Sequence, residues 1–315
     1  MENKTIKFSS IEEHAEWLGK FSHLECKVNS SSGTIDFYGL TQEQVELLNV
    51  GVRDSMWWIN TETGLVDVGI GGVVWSNLGL TDFKGIKLGT VEGNFYCDNN
   101  QLSSLEGAPQ VLGMGFYCRN NQLNTLKGAP QKVGWFSGEN NQLTTLEGAP
   151  QEVVGNFYCN NNQLTSLEGA PQKVGKDFYC NNNQLTTLEG APKEVGDGFR
   201  CGDNQLTSLV GAPQEVGGCF YCNNNQLTTL EGAPRKVGGY GFSGGRNPVS
   251  KETLETIFSS MEGGKSYLEA VESLWPKIPP EDQILLYRPE FEWVTPEKKR
   301  SIELLIEYNM ISEML

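Results

Sequence analysis

The fifteen residues FYCNNNQLTTLEGAP stand at 178–192 and again, letter for letter, at 220–234. This repetition limits what the chain can fold into more than any other feature. Aligned on the leucine of each Gln-Leu pair, seven units fall at Leu102, Leu123, Leu143, Leu164, Leu185, Leu206 and Leu227, with spacings of 21, 20, 21, 21, 21 and 21 residues. Seven prolines, from Pro109 to Pro234, keep the same step, and the short spacing is one residue lost between Pro130 and Phe136. A unit this short has too little apolar surface to bury by itself, so its copies must stack along one axis. Looser copies flank the array, VVWSNLGLTDF at 73–83 and FSGGRNPV at 242–249, and nine strands are expected.

With each Phe as position 0, the unit reads F-x-C-x-x-N-x-L-x-x-L-x-G-x-P. Side chains alternate across a strand, so Phe at 0 and Cys at +2 share one face while −1, +1 and +3 share the other. Repeated Phe, Cys, Leu and Leu are expected to stack as a narrow core, in which Cys acts as a small apolar residue. The Asn at +5 (Asn100, Asn121, Asn141, Asn162, Asn183, Asn204, Asn225 and Asn247) is expected to form a ladder that satisfies turning backbone groups beyond the reach of a sheet.

The unit resembles a leucine-rich repeat in which Phe and Cys replace two leucines, the pattern LxxLxLxxNxL remaining visible over residues 65–249. The resemblance implies an α/β fold: a solenoid of about nine repeats over 65–249 with a parallel β-sheet on its concave face. Residues 1–64 are expected to form an N-terminal α/β cap and residues 250–315 a C-terminal helical cap, because end units must cover an open core. Capping-box patterns at Ser10–Glu13 and Thr41–Gln44 precede helices, a hairpin is expected over LECKVNSSSGTIDFYG, and Thr295-Pro296 reads as a helix start. The wording LTSLEGAPQKVGxxFYC, the entry GLVDV at 64–68 and the exit NPVSKETLETIF at 247–258 are similar to repeat proteins carried by tailed bacteriophages. The short unit with its Pro-containing return is also similar to the repeats of secreted bacterial effector ligases.

Charge and cysteine usage exclude several functions. Thirty-nine acidic against 24 basic residues give a net charge of −15, with no Lys/Arg stripe to meet a phosphate backbone, so no nucleic-acid partner is expected. MENKTIKFSS has no apolar h-region and no run of about 18 apolar residues occurs, so no membrane partner is expected. Of eight cysteines, Cys97, Cys118, Cys159, Cys180, Cys201 and Cys222 occupy the one repeat position +2. They read as reduced thiols in a cytoplasm, the host cytoplasm if the chain is phage-encoded. Cys219 and Cys222 form a CxxC, but at −1 and +2 they lie on opposite faces of one strand, with Cys219 turned outward. No metal and no cofactor are expected: the CNNNQ turns lack the carboxylates that calcium needs, and His14, His23 and Cys26 lack a second pair for zinc.

The outward columns are where the repeat varies. Column +1 holds Tyr96, Tyr117, Ser137, Tyr158, Tyr179, Arg200 and Tyr221. Column −1 includes Trp135, Asp177 and Cys219, and column +3 includes Arg119 and Glu139. Tyr, Trp and Arg anchor protein interfaces, so Tyr96, Tyr117, Arg119, Trp135, Tyr158, Asp177, Tyr179, Arg200 and Tyr221 are the candidate protein-binding residues. The competing account is that stacked tyrosines serve the sheet alone. A non-catalytic binding module for a host or phage protein is expected, rather than an enzyme. The alternatives are the substrate-recognition part of an effector-type ligase, or a virion-associated attachment protein. The ligase reading lacks its nucleophile, since residues 250–315 contain neither Cys nor His.

Overall fold

The computed structural model describes residues 27–29, 34–36, 40–52, 57–60, 62–238, 241–287 and 294–303. Each Phe begins a two-residue strand, and these strands pair in parallel with Phe opposite Phe, for example Phe157 with Phe178 and Tyr158 with Tyr179. The resulting sheet has nine strands, running from Val73–Val74 to Phe242–Ser243. Both edge strands belong to the two degenerate copies. The fold is α/β: a leucine-rich-repeat-like parallel-strand solenoid with helical elements at both ends.

Burial follows the repeat. Phe157, Cys159, Leu164 and Leu167 are fully buried, as are their counterparts in adjoining turns. Ala at +13 and Val at +17 join them, for example Ala170 and Val174. The phenylalanine rings stack on their neighbours with centroids 4.6 to 6.1 Å apart from Phe95 to Phe242. The thiols also point inward. Cys159 Sγ donates to the Tyr179 carbonyl at 3.2 Å and Cys180 Sγ to the Arg200 carbonyl at 3.4 Å.

The Asn ladder accounts for the second half of each strand. Asn162 Nδ2 donates to the carbonyls of Gly138 and Cys159 at 3.1 Å, and Asn162 Oδ1 accepts from Leu143 N at 3.0 Å. The same set recurs at Asn183, Asn204 and Asn225. The residue before each, such as Asn161 at φ 56° and Asn182 at φ 54°, is left-handed. Asn tolerates that region better than other non-glycine residues, so the paired asparagines divide the work: one turns the chain and the next ties the turns together.

The return path is more ordered than Gly and Pro punctuation implies. Lys132–Val133, Glu152–Val153, Lys173–Val174, Glu194–Val195, Glu215–Val216 and Lys236–Val237 form a second, six-stranded parallel sheet. Lys132–Glu152 at 2.9 Å and Lys173–Glu194 at 2.6 Å pair along its exposed side. At the amino-terminal end the same ladder continues as Val111–Leu112, Leu88–Val91 and Val66–Val68, closed by the antiparallel strand Trp57–Ile59. The two stretches do not pair between Leu112 and Lys132. That gap coincides with the 20-residue turn: two residues, Gly134 and Trp135, join Val133 to Phe136, where three join Leu112 to Phe116.

Both ends of the core are covered. Helix α1 (Gln42–Gly51) opens on the expected capping box, with Thr41 N donating to Gln44 Oε1 at 2.8 Å. It buries Leu48, and its Leu47 carbonyl accepts from Trp75 Nε1 at 3.0 Å. Helices α2 (Lys251–Glu262), α3 (Tyr267–Leu274) and α4 (Pro280–Leu286) follow the last strand. Phe258 of α2 stacks on Phe242 with centroids 4.3 Å apart, ending the aromatic column. The expected hairpin is present as Lys27–Asn29 paired with Thr34–Asp36, and residues 296–303 are helical behind Thr295. The Ser10–Glu13 capping pattern and the zinc reading of His14, His23 and Cys26 lie outside the described residues.

Candidate functional site: the outer face of the nine-stranded sheet

All column +1 side chains from Tyr96 to Tyr221 lie on the face opposite the phenylalanine core. The five tyrosines and Arg200 are half-buried, whereas Ser137 is buried. Tyr96 and Tyr117 stack with centroids 4.6 Å apart and planes 12° apart, and Tyr158 and Tyr179 are 4.7 Å apart. Arg200 Cζ lies 4.8 Å from the Tyr179 ring and 5.0 Å from the Tyr221 ring. Tyrosine stacking thus supports the strands, while the arginine is held between two rings. The buried Nε of Arg200 has no hydrogen-bond partner among the described residues.

Column −1 is less free than its outward position suggests. Asn94 Oδ1 accepts from Gly115 N at 2.8 Å, Asn156 Oδ1 from Asp177 N at 3.2 Å, and Asp177 Oδ1 from Gly198 N at 3.0 Å. Asp177, a candidate binding residue, therefore ties one turn to the next. Two other residues of this column diverge. Trp135 is 41 % exposed, whereas Cys219 is only 3 % exposed. Cys219 does lie on the outer side, where a Cβ on Gly198 would stand 2.9 Å from its sulfur. Neighbouring turns cover it, which corrects the expectation of an accessible thiol. Alternation assigns a face to a side chain but cannot say what covers it.

Column +3 carries the face's ion pair. Arg119 Nη1 stands 3.7 Å from Glu139 Oε1, with Arg119 half exposed, and Glu139 Oε2 accepts from Ser137 Oγ at 2.7 Å. Burial raises the Tyr117 and Tyr179 hydroxyls above the ordinary tyrosine value. For Tyr179 the Asp177 carboxylate adds to the rise and Arg200 opposes it. Burial also pushes the core thiols up, so little thiolate exists at neutral pH and they are poor nucleophiles and metal ligands. Among the described residues, no cluster of three or more His, Cys, Asp or Glu is placed to hold a metal ion, and no helix is long and apolar enough to cross a membrane.

No protein-family model matches the chain, and no curated protein sequence matches it. Among solved structures it is similar to YopM from Yersinia enterocolitica WA-314, at 18 % identity and a TM-score of 0.42, over 76 % of this chain and 56 % of that one. The chain thus spans a little over half the length of YopM, and a likeness at this level says nothing about what the chain binds.

Proposed function

We propose that this chain is a non-catalytic binding protein that recognises a protein partner through the outer face of its nine-stranded sheet. One observation carries the reading. The repeat's fixed positions are occupied with core packing and the Asn ladder, whereas the outer face holds Arg200 with its guanidinium wedged between Tyr179 and Tyr221 and its buried Nε without a hydrogen-bond partner among the described residues. Trp135, exposed at the corner where the repeat loses a residue, supplies a second anchor type. The nine strands span roughly 38 Å at a spacing of about 4.8 Å, enough for a protein surface. The wording shared with phage repeat proteins favours a host or phage protein as the partner and a host cytoplasm as the setting.

The test is affinity capture with the intact protein from host lysate, infected and uninfected. Trp135→Ala, or Tyr158→Ala with Tyr179→Ala, should cut capture at least about tenfold, since central anchors contribute about 2 kcal/mol or more. Glu168→Lys with Glu189→Lys changes two exposed residues away from this face and should leave capture unchanged. Loss of capture in the second pair alone would place the binding surface elsewhere.

A further inference from the structure

Column +1 contains two places where one residue stands between two tyrosines. Arg200 pairs in register with Tyr179 on one side and Tyr221 on the other, and Ser137 pairs with Tyr117 and Tyr158. Tyrosines two strands apart are separated by about 10 Å, which leaves room for one planar group between their rings. At Arg200 the protein fills that space itself, with the guanidinium about equally far from both rings. At Ser137 the side chain is too short to fill it.

The two rings beside Ser137 are held apart. Tyr117 stacks on Tyr96, and Tyr158 packs on Tyr179 with a 33° tilt, so each ring is engaged on the side away from Ser137. The Tyr117 ring lies over Gly115, where a Cβ would stand 2.6 Å from it. Asn156 Nδ2 donates to Tyr158 Oη at 2.6 Å. The floor is Ser137, bonded to the Glu139 carboxylate. Among the described residues, that carboxylate's other oxygen makes only the 3.7 Å contact to Arg119.

We propose that the gap above Ser137 receives the guanidinium group of an arginine side chain on the protein partner. The proposal rests on the reading of this face as a protein-binding surface and names the chemistry of its partner. A guanidinium is flat, so it fits between two rings, and its edge presents donors to a carboxylate. A lysine ammonium is compact, more strongly hydrated and has no planar face to offer both rings. A neutral aromatic ring fills the space but offers the Glu139 carboxylate no donor beyond the 3.7 Å contact it has with Arg119. The chain's net charge of −15 also favours approach of a basic segment.

The probe is N-acetyl-arginine N-methylamide, titrated into intact protein carrying ring-labelled tyrosine and read by NMR. Saturable shifts are expected at Tyr117 and Tyr158, with affinity at least about tenfold weaker for the citrulline analogue, which has the same shape without the charge. Ser137→Tyr closes the gap with the residue found in five of the seven turns from Tyr96 to Tyr221, and should abolish the shifts while leaving the melting temperature unchanged. Glu139→Gln, a milder change, should weaken binding about tenfold, and Arg119→Gln should leave it equal or stronger. Equal binding of the citrulline analogue, persistence of the shifts in Ser137→Tyr, or loss of binding in Arg119→Gln, which would mean that the probe depends on Arg119 and does not replace it at Glu139, each overturns the proposal. Partner capture separates the two readings. If Tyr158→Ala with Tyr179→Ala loses capture while Ser137→Tyr keeps it, the arginine seat is overturned and the binding face stands. If the probe binds as described while no change on the face affects capture, the gap takes a guanidinium but the face reading fails, and with it the assignment of that arginine to the partner.

Discussion

Asparagine at +5 shows how one side chain substitutes for a missing strand. Asn162 makes bonds to the preceding turn and to its own, and replacing it with alanine leaves the Leu143 N–H and the Gly138 and Cys159 carbonyls without that partner. Asn162→Ala should cost about 1 to 3 kcal/mol, measured as a lower urea midpoint with unchanged slope. An unchanged midpoint would mean that water replaces the amide at no cost. Cysteine at +2 is equally structural, and Cys219, though off the core, is covered as well. Iodoacetamide applied to the native, reduced protein should therefore leave all seven described thiols largely unmodified until denaturant is added. Rapid modification of Cys219 alone would show that the turns around it open independently.

At the scale of elements, the carboxyl-terminal helices are fastened by a buried carboxylate. Asp282 of α4 is 2 % exposed and accepts from Ser250 N at 3.0 Å, Ser250 Oγ at 2.6 Å and Thr253 Oγ1 at 2.5 Å, at the start of α2. The carboxylate binds the N-cap residue at the positive end of α2's dipole, so it ties the start of α2 to α4. Asp282→Ala should destabilise the protein by about 2 kcal/mol or more, because it orphans a charge-assisted cluster. Hydrogen exchange should locate the loss first in α2 and at Phe242–Ser243, which α2 covers. Loss confined to α4 would show that the solenoid's last strand does not depend on this contact. Trp275 and Tyr287 belong to the same packing, at 5 % and 6 % exposed.

For the molecule as a whole, the column of buried thiols couples stability to alkaline pH. In the unfolded chain a thiol ionises near pH 8.5. In the folded chain burial holds Cys97, Cys118, Cys159, Cys180, Cys201 and Cys222 protonated well above that value. Above about pH 8.5 the folded state binds more protons than the unfolded one, so stability falls as pH rises, by up to about 1.4 kcal/mol per pH unit per thiol. Below that pH the contribution is present in full. Urea unfolding under reducing conditions should therefore show flat thiol-linked stability from pH 7 to 8 and a steep fall toward pH 10. Replacing Cys159 and Cys180 with alanine should make the fall shallower; an unchanged slope would mean that these thiols do not carry it.

The period, the core positions Phe, Cys, Leu and Leu, the Asn ladder and the nine-stranded sheet were legible in the sequence, because a repeated unit presents the same local choice many times. The second sheet was not, since its strands are two residues long and alternate charge with valine in a stretch that reads as loop; hydrogen bonds to the neighbouring turns make it a sheet. The face carrying Tyr158, Tyr179 and Arg200 followed from alternation alone. What those side chains do to one another depended on tertiary packing. Only the stacked turns set Arg200 between two rings, bent Asp177 onto the next turn, hid Cys219 and opened a gap above Ser137. Periodicity is a property of the chain taken singly, whereas covering and spacing are properties of neighbouring turns, and these arise only once the solenoid is wound.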